Sequence, residues 1–141
     1  MIVDFYHLTA SPLERVLPSI CEKVLATGQR LVVVAGEEQL ARIDEQLWTY
    51  AKDSFLPHGR EAAESQPVLL STAPEAANGA RNVALADGVW REEALSFDRA
   101  FYFFDAANLD AARDAWRALK GREGVESRYW KQADGKWVQG P

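Results

Sequence analysis

The apolar positions of this chain change their period several times, and the changes mark out its elements. Val3 to Leu8 alternates and is rich in aromatics, which predicts a first strand. Leu13, Val16, Leu17, Ile20, Cys21, Val24 and Leu25 then recur at helical spacing and define one buried face. Ser11 and Glu14 have the spacing of a capping box, and Pro12 falls at the first helical position, where a missing N–H costs nothing. Pro18 predicts a kink or a later start, and Gly28 a stop.

The run RLVVVA at 30–35 is continuous and β-branched, as in a strand covered on both faces. Helical period returns from Glu37 to Tyr50, with Leu40, Ile43 and Leu47 in line. Pro57, Gly59 and a polar stretch through Gln66 read as a loop. Short strands are expected at Pro67–Ser71, Asn82–Ala86 and Arg99–Phe104, a helix from Asn108 to Lys120, and two strand pieces between Ser127 and Val138 around the turn dipeptide Asp134-Gly135. Strands alternating with helices imply an α/β fold. We expect one domain over residues 1–141, with a mostly parallel sheet and helices on both faces.

Composition narrows the function more than the fold. With 141 residues, 48% hydrophobic and 26% charged, the chain is an ordinary globular one. The apolar run Leu31 to Ala35 is far too short to span a bilayer, and Met1-Ile2-Val3-Asp4 lacks the features of a signal peptide. A lone cysteine, Cys21, allows no internal disulfide. These features together predict a cytoplasmic protein with no membrane contact. The net charge of −5 argues against strong direct nucleic-acid binding. Residues 1–108 carry 9 Lys/Arg against 16 Asp/Glu, but residues 109–141 carry 7 against 5. A mildly basic end on an acidic body predicts a local anionic partner, and direct DNA binding by that end is the competing possibility.

Catalysis finds little support. No glycine-rich phosphate loop occurs: the first strand is followed by Leu8-Thr9-Ala10-Ser11-Pro12, and the second by Gly36-Glu37-Glu38, whose carboxylates would repel a phosphate. His7 and His58 stand in no metal-ligand frame, His7 reads as a polar residue at a strand end, and Cys21 falls on an apolar helix face. Glu37-Glu38 and Asp44-Glu45 read as solvated helix charge rather than paired catalytic acids. We therefore expect a non-catalytic protein without cofactor or metal. The alternative is a small nucleotide-binding or enzymatic α/β domain with an unrecognised site.

Two constellations look like binding surfaces. Trp48 lies at the flank of the second helix and Phe55 in the segment after it. They either close the edge of the core or form an anchor patch for a partner. On the last helix Leu109, Ala112, Trp116 and Leu119 form an apolar stripe, and Arg113, Arg117 and Lys120 a basic row beside Trp116. This row is either a solvated face that complements the helix dipole or a grip for a peptide ending in an acidic-then-hydrophobic sequence.

These residues also carry a resemblance. Ala41-Arg-Ile-Asp-Glu-Gln-Leu-Trp48, continued by Asp53-Ser-Phe-Leu-Pro-His58, is similar to the signature of the chi subunit family of the bacterial DNA polymerase III clamp loader. The strand at Gly28-Gln-Arg-Leu-Val-Val-Val, the helix at Ala112-Arg-Asp-Ala-Trp-Arg-Ala-Leu-Lys120 and the terminal Tyr129-Trp-Lys-Gln and Gly135-Lys-Trp137 resemble it too, in order along the chain. The resemblance implies a nucleotide-binding-like fold without a nucleotide site, acting as an adaptor. It implies that Arg113, Trp116 and Arg117, with Lys120 as an addition, hold the acidic C-terminal tail of single-stranded-DNA-binding protein. It also implies that Trp48 and Phe55 meet a psi subunit or a helicase. A lysine that some members carry one turn before Arg113 is Leu109 here, which makes the expected tail pocket less basic.

Overall fold

The computed structural model describes residues 1–49, 57–133 and 136–140. Its centre is one eight-stranded sheet built from β1 (Ile2–His7), β2 (Leu31–Val34), β3 (His58–Gly59), β4 (Val68–Ser71), β5 (Asn82–Leu85), β6 (Arg99–Phe104), β7 (Glu126–Ala133) and β8 (Lys136–Gln139). Their order across the sheet is β3-β4-β2-β5-β6-β1-β7-β8. The pairs from β3 through β7 are parallel, and β8 turns back antiparallel to β7. The α/β class expected from the period changes is the fold observed.

Helices α1 (Leu13–Ala26) and α2 (Glu37–Thr49) cover one face and α3 (Leu109–Leu119) the other. The sequence dictates this division residue by residue. In β2, Leu31 and Val33 point into the α1/α2 core while Val32 and Val34 point to the α3 side, and all four are fully buried. Leu40, Ile43 and Leu47 of α2 are buried as their spacing predicts, each worth about 1.5–3 kcal/mol of apolar transfer. β7 is different: most of its residues are only half-buried, because no helix fully covers it.

Several local expectations change. α1 begins one residue late, with Pro12 as its N-cap in extended backbone, and the Ser11/Glu14 capping box does not form. The helix then runs on through buried Pro18, and Gly28 sits just past its end at φ +79, donating its N–H to the Leu25 carbonyl. The polar stretch after Pro57 is not simply loop. It holds the two-residue edge strand β3 and a short 3₁₀ turn at Ala63–Ser65. Two more 3₁₀ turns, Glu92–Ser96 and Ala106–Asn108, precede β6 and α3. The turn at 134–135 lies outside the described residues.

A buried carboxylate ties three strands together. Asp4 of β1 is fully buried and accepts hydrogen bonds from Arg99 Nε (2.6 Å), Arg128 Nε (2.6 Å) and Trp130 Nε1 (2.9 Å). Burial alone would raise its carboxyl. The bonds from Arg128, Trp130 and Arg99 outweigh that and hold it below the ordinary value.

Candidate functional site

α3 presents Arg113, Trp116 and Arg117 along one side, as an i, i+3, i+4 set must. The three line a cavity of about 390 Å³ together with Leu109 and Ala112 of the same helix. The sheet supplies the opposite wall: Phe5 and His7 from β1, Phe104 from β6 and Tyr129 from β7. The helix therefore contributes charge and an indole, and the sheet an aromatic floor.

The aromatic contacts are specific. Trp116 meets Phe5 edge-on at a centroid distance of 5.1 Å and approaches Tyr129 at 6.4 Å. His7 stacks on Phe104 at 4.7 Å, and its Nδ1 shares a 2.7 Å hydrogen bond with the Tyr129 hydroxyl. Gly140 lies directly behind Tyr129, where a Cβ would come within 2.5 Å of the ring. Burial lowers the His7 pKa below its ordinary value and so does the nearby Arg113, against the opposing pull of Asp105. The imidazole is thus mostly neutral near pH 7 and able to take up a proton when an anionic neighbour arrives.

Both arginines already have carboxylates on their own helix: Arg117 is paired with Asp114, and Arg113 stands 4.0 Å from Asp110. All four side chains are mostly exposed, so these pairs are weak and exchangeable. Lys120, the C-cap residue of α3, is exposed and does not line the cavity. Leu109 does, giving apolar wall at that position. His7, Phe104 and Tyr129 were not singled out by spacing. The one signal for them is that His7 ends a strand and Tyr129 opens an aromatic pair.

Trp48, at the end of α2, is 54% exposed, the largest value among the exposed bulky apolar residues described. It packs edge-on against His58 at 5.1 Å. His58 is itself held from below, its buried Nε2 lying 3.0 Å from the Asp44 carboxylate and 3.2 Å from the Asp44 carbonyl. The imidazole is therefore a fixed support for the indole. Phe55 lies outside the described residues.

A larger cavity, about 570 Å³, opens at the carboxyl ends of the strands, between the β1–α1 loop and the segments after β5 and β6. In a doubly wound sheet this is the crevice where ligands sit. Two amides of the lining β1–α1 loop, Ala10 N–H and Ser11 N–H, donate to Gln132 Oε1 at 2.9 and 3.0 Å. Glu14, Asp87 and Asp105 give its lining an acidic character. Cys21 is buried in the core, with its thiol pushed up to about 12. No cluster of three potential metal ligands occurs among the described residues, and none of their helices is long and apolar enough to cross a membrane.

A family model described as "DNA polymerase III chi subunit, HolC" matches residues 1–126. The chain belongs to the chi subunit family. Membership places it among the accessory subunits of DNA polymerase III, in DNA replication. No curated protein matches the chain. The match to the chi family takes in α1, α2 and α3 but ends at the first residue of β7. Tyr129, Gln132 and the whole of β8 thus lie beyond the part of this chi-family member that the family model matches.

Proposed function

We propose that this chi-family member is a non-catalytic adaptor of the clamp-loader complex, holding the acidic C-terminal tail of single-stranded-DNA-binding protein in the groove between α3 and the sheet. The observation that carries this reading is the convergence of Arg113, Arg117 and Trp116 on one cavity with an aromatic floor. A peptide ending in acidic residues and a hydrophobic one needs that pairing: guanidinium for carboxylate, and an aromatic slot for the last side chain. The pairs with Asp110 and Asp114 would yield to the peptide's own carboxylates. Trp48, steadied by His58, with Phe55, would meet a psi subunit or a helicase. Joining two modest contacts in one small body strengthens attachment of the polymerase to coated single strands.

Bare DNA fits the same basic end poorly. Arg128 is committed to buried Asp4, and Arg122 to Glu92 at 2.9 Å. A nucleotide in the crevice would meet acidic neighbours and two loop amides already bonded to Gln132. Stabilisation of the fold by ATP or NAD would favour that competitor.

The deciding experiment is a calorimetric titration with the last ten or so residues of the same organism's single-stranded-DNA-binding protein. Micromolar binding is expected. Arg113→Ala should weaken it by about 1–2 kcal/mol, roughly five- to thirtyfold, a value reduced for the exposure of that side chain. Trp48→Ala should leave it unchanged. An Arg113→Ala variant that binds like the wild type would remove the tail from this groove.

A further inference from the structure

The floor of the groove does not stop at β1. Register carries it across four strands: Phe104 of β6 stands beside His7 of β1, His7 beside Lys131 of β7, and Lys131 beside Val138 of β8. Neighbours in register share a face, and Tyr129 and Lys131, two residues apart, share it as well. Phe104, His7 and Tyr129 already line the groove, so Lys131 and Val138 extend its floor outward over the hairpin. No helix covers them. Lys131 is exposed, and Val138 is 42% exposed, one of the three large apolar residues described as exposed.

The charge on this extension differs from that on the helix. Arg113 and Arg117 face Asp110 and Asp114, and Asp105 lies near His7. Among the described residues no ion pair engages Lys131. Lys136, on the same face opposite Ala133, adds a second cation to the hairpin.

We infer that the face of the β7–β8 hairpin formed by Lys131, Val138 and Lys136 is the second half of the groove. It holds the acidic residues upstream of the peptide's terminus while α3 holds the terminus itself. This rests on the groove being the tail site. It assigns a role in recognition to a segment lying beyond the family match, and it makes this chain's contact longer than its helix alone provides.

The test uses the full chain and two synthetic peptides with the same acidic-then-hydrophobic ending. One has five residues, and the other has ten, with further acidic residues upstream. The wild type should bind the longer peptide more tightly. Lys131→Glu should lower affinity for the longer peptide about tenfold and leave the shorter one unchanged, while Lys131→Arg keeps both. Arg113→Ala should weaken both. Equal affinity of Lys131→Glu and wild type for the longer peptide, or an equal loss for both peptides, would overturn the hairpin's role while leaving the α3 site standing. Failure of the wild type to bind either peptide would overturn the tail reading itself.

Discussion

His7 shows how one side chain can be remade by its neighbours. A histidine at a strand end is ordinarily a solvated polar residue. Here it is stacked on Phe104, bonded to Tyr129 and set within the field of Arg113. Its pKa lies below 6.5, so a carboxylate entering the groove would pull it back up, and binding should take up a fraction of a proton near pH 6. Affinity for an acidic peptide should therefore rise modestly as pH falls from about 7.5 to about 5.5. Titrations in buffers of different ionisation enthalpy would show the uptake, and His7→Gln should abolish it. The two walls of this groove are legible in the sequence to different depths. Arg113, Trp116 and Arg117 lie within five residues of one helix, so periodicity brings them together. Phe5, His7, Phe104 and Tyr129 come from three strands whose adjacency is set by tertiary pairing, and no local pattern announces it.

At the scale of elements, the start of α1 is instructive. Ser11 and Glu14 have capping-box spacing, but the Ser11 amide is bonded to Gln132 some 121 residues away. A distant side chain has displaced a local cap, and α1 opens at Pro12 instead. Boundaries of this kind escape sequence reasoning because the competing partner is remote, whereas long periodic runs such as those of α1 and α2 survive, since nothing remote competes for their buried faces. Gln132→Ala should release the Ala10 and Ser11 amides together, for a loss of about 1 kcal/mol given the partial exposure of the site. Hydrogen exchange should quicken at those two amides far more than at the centre of α1. Unchanged protection at both would mean that the loop is held by something other than this link.

For the whole molecule, Asp4 is the most consequential polar group. It joins β1 to Arg99 of β6 and to Arg128 and Trp130 of β7, across the strands that also floor the groove. Its carboxyl is held below the ordinary 3.8, so its contribution to stability is complete above that value and disappears as pH falls through the lower folded value. Asp4→Ala should cost about 2–4 kcal/mol at neutral pH, less than for a wholly buried pair because both guanidiniums keep some solvent. The variant's stability should also fall less steeply with acid than the wild type's. Chemical denaturation between pH 2.5 and pH 7 would reveal both effects, and parallel acid profiles would assign the acid sensitivity to other carboxylates.

The place of β1 in the sheet has a consequence for the order in which the sheet can close. Its two neighbours, β6 and β7, begin at residues 99 and 126, so β1 must wait for segments far downstream before either of its edges is paired. β2, β4 and β5 lie closer together along the chain and can associate earlier, while Ile2–His7, with its aromatic side chains, remains unpaired. Insertion of β1 between β6 and β7 is therefore a late, long-range step of folding, and until it happens this aromatic strand is open to association with other chains.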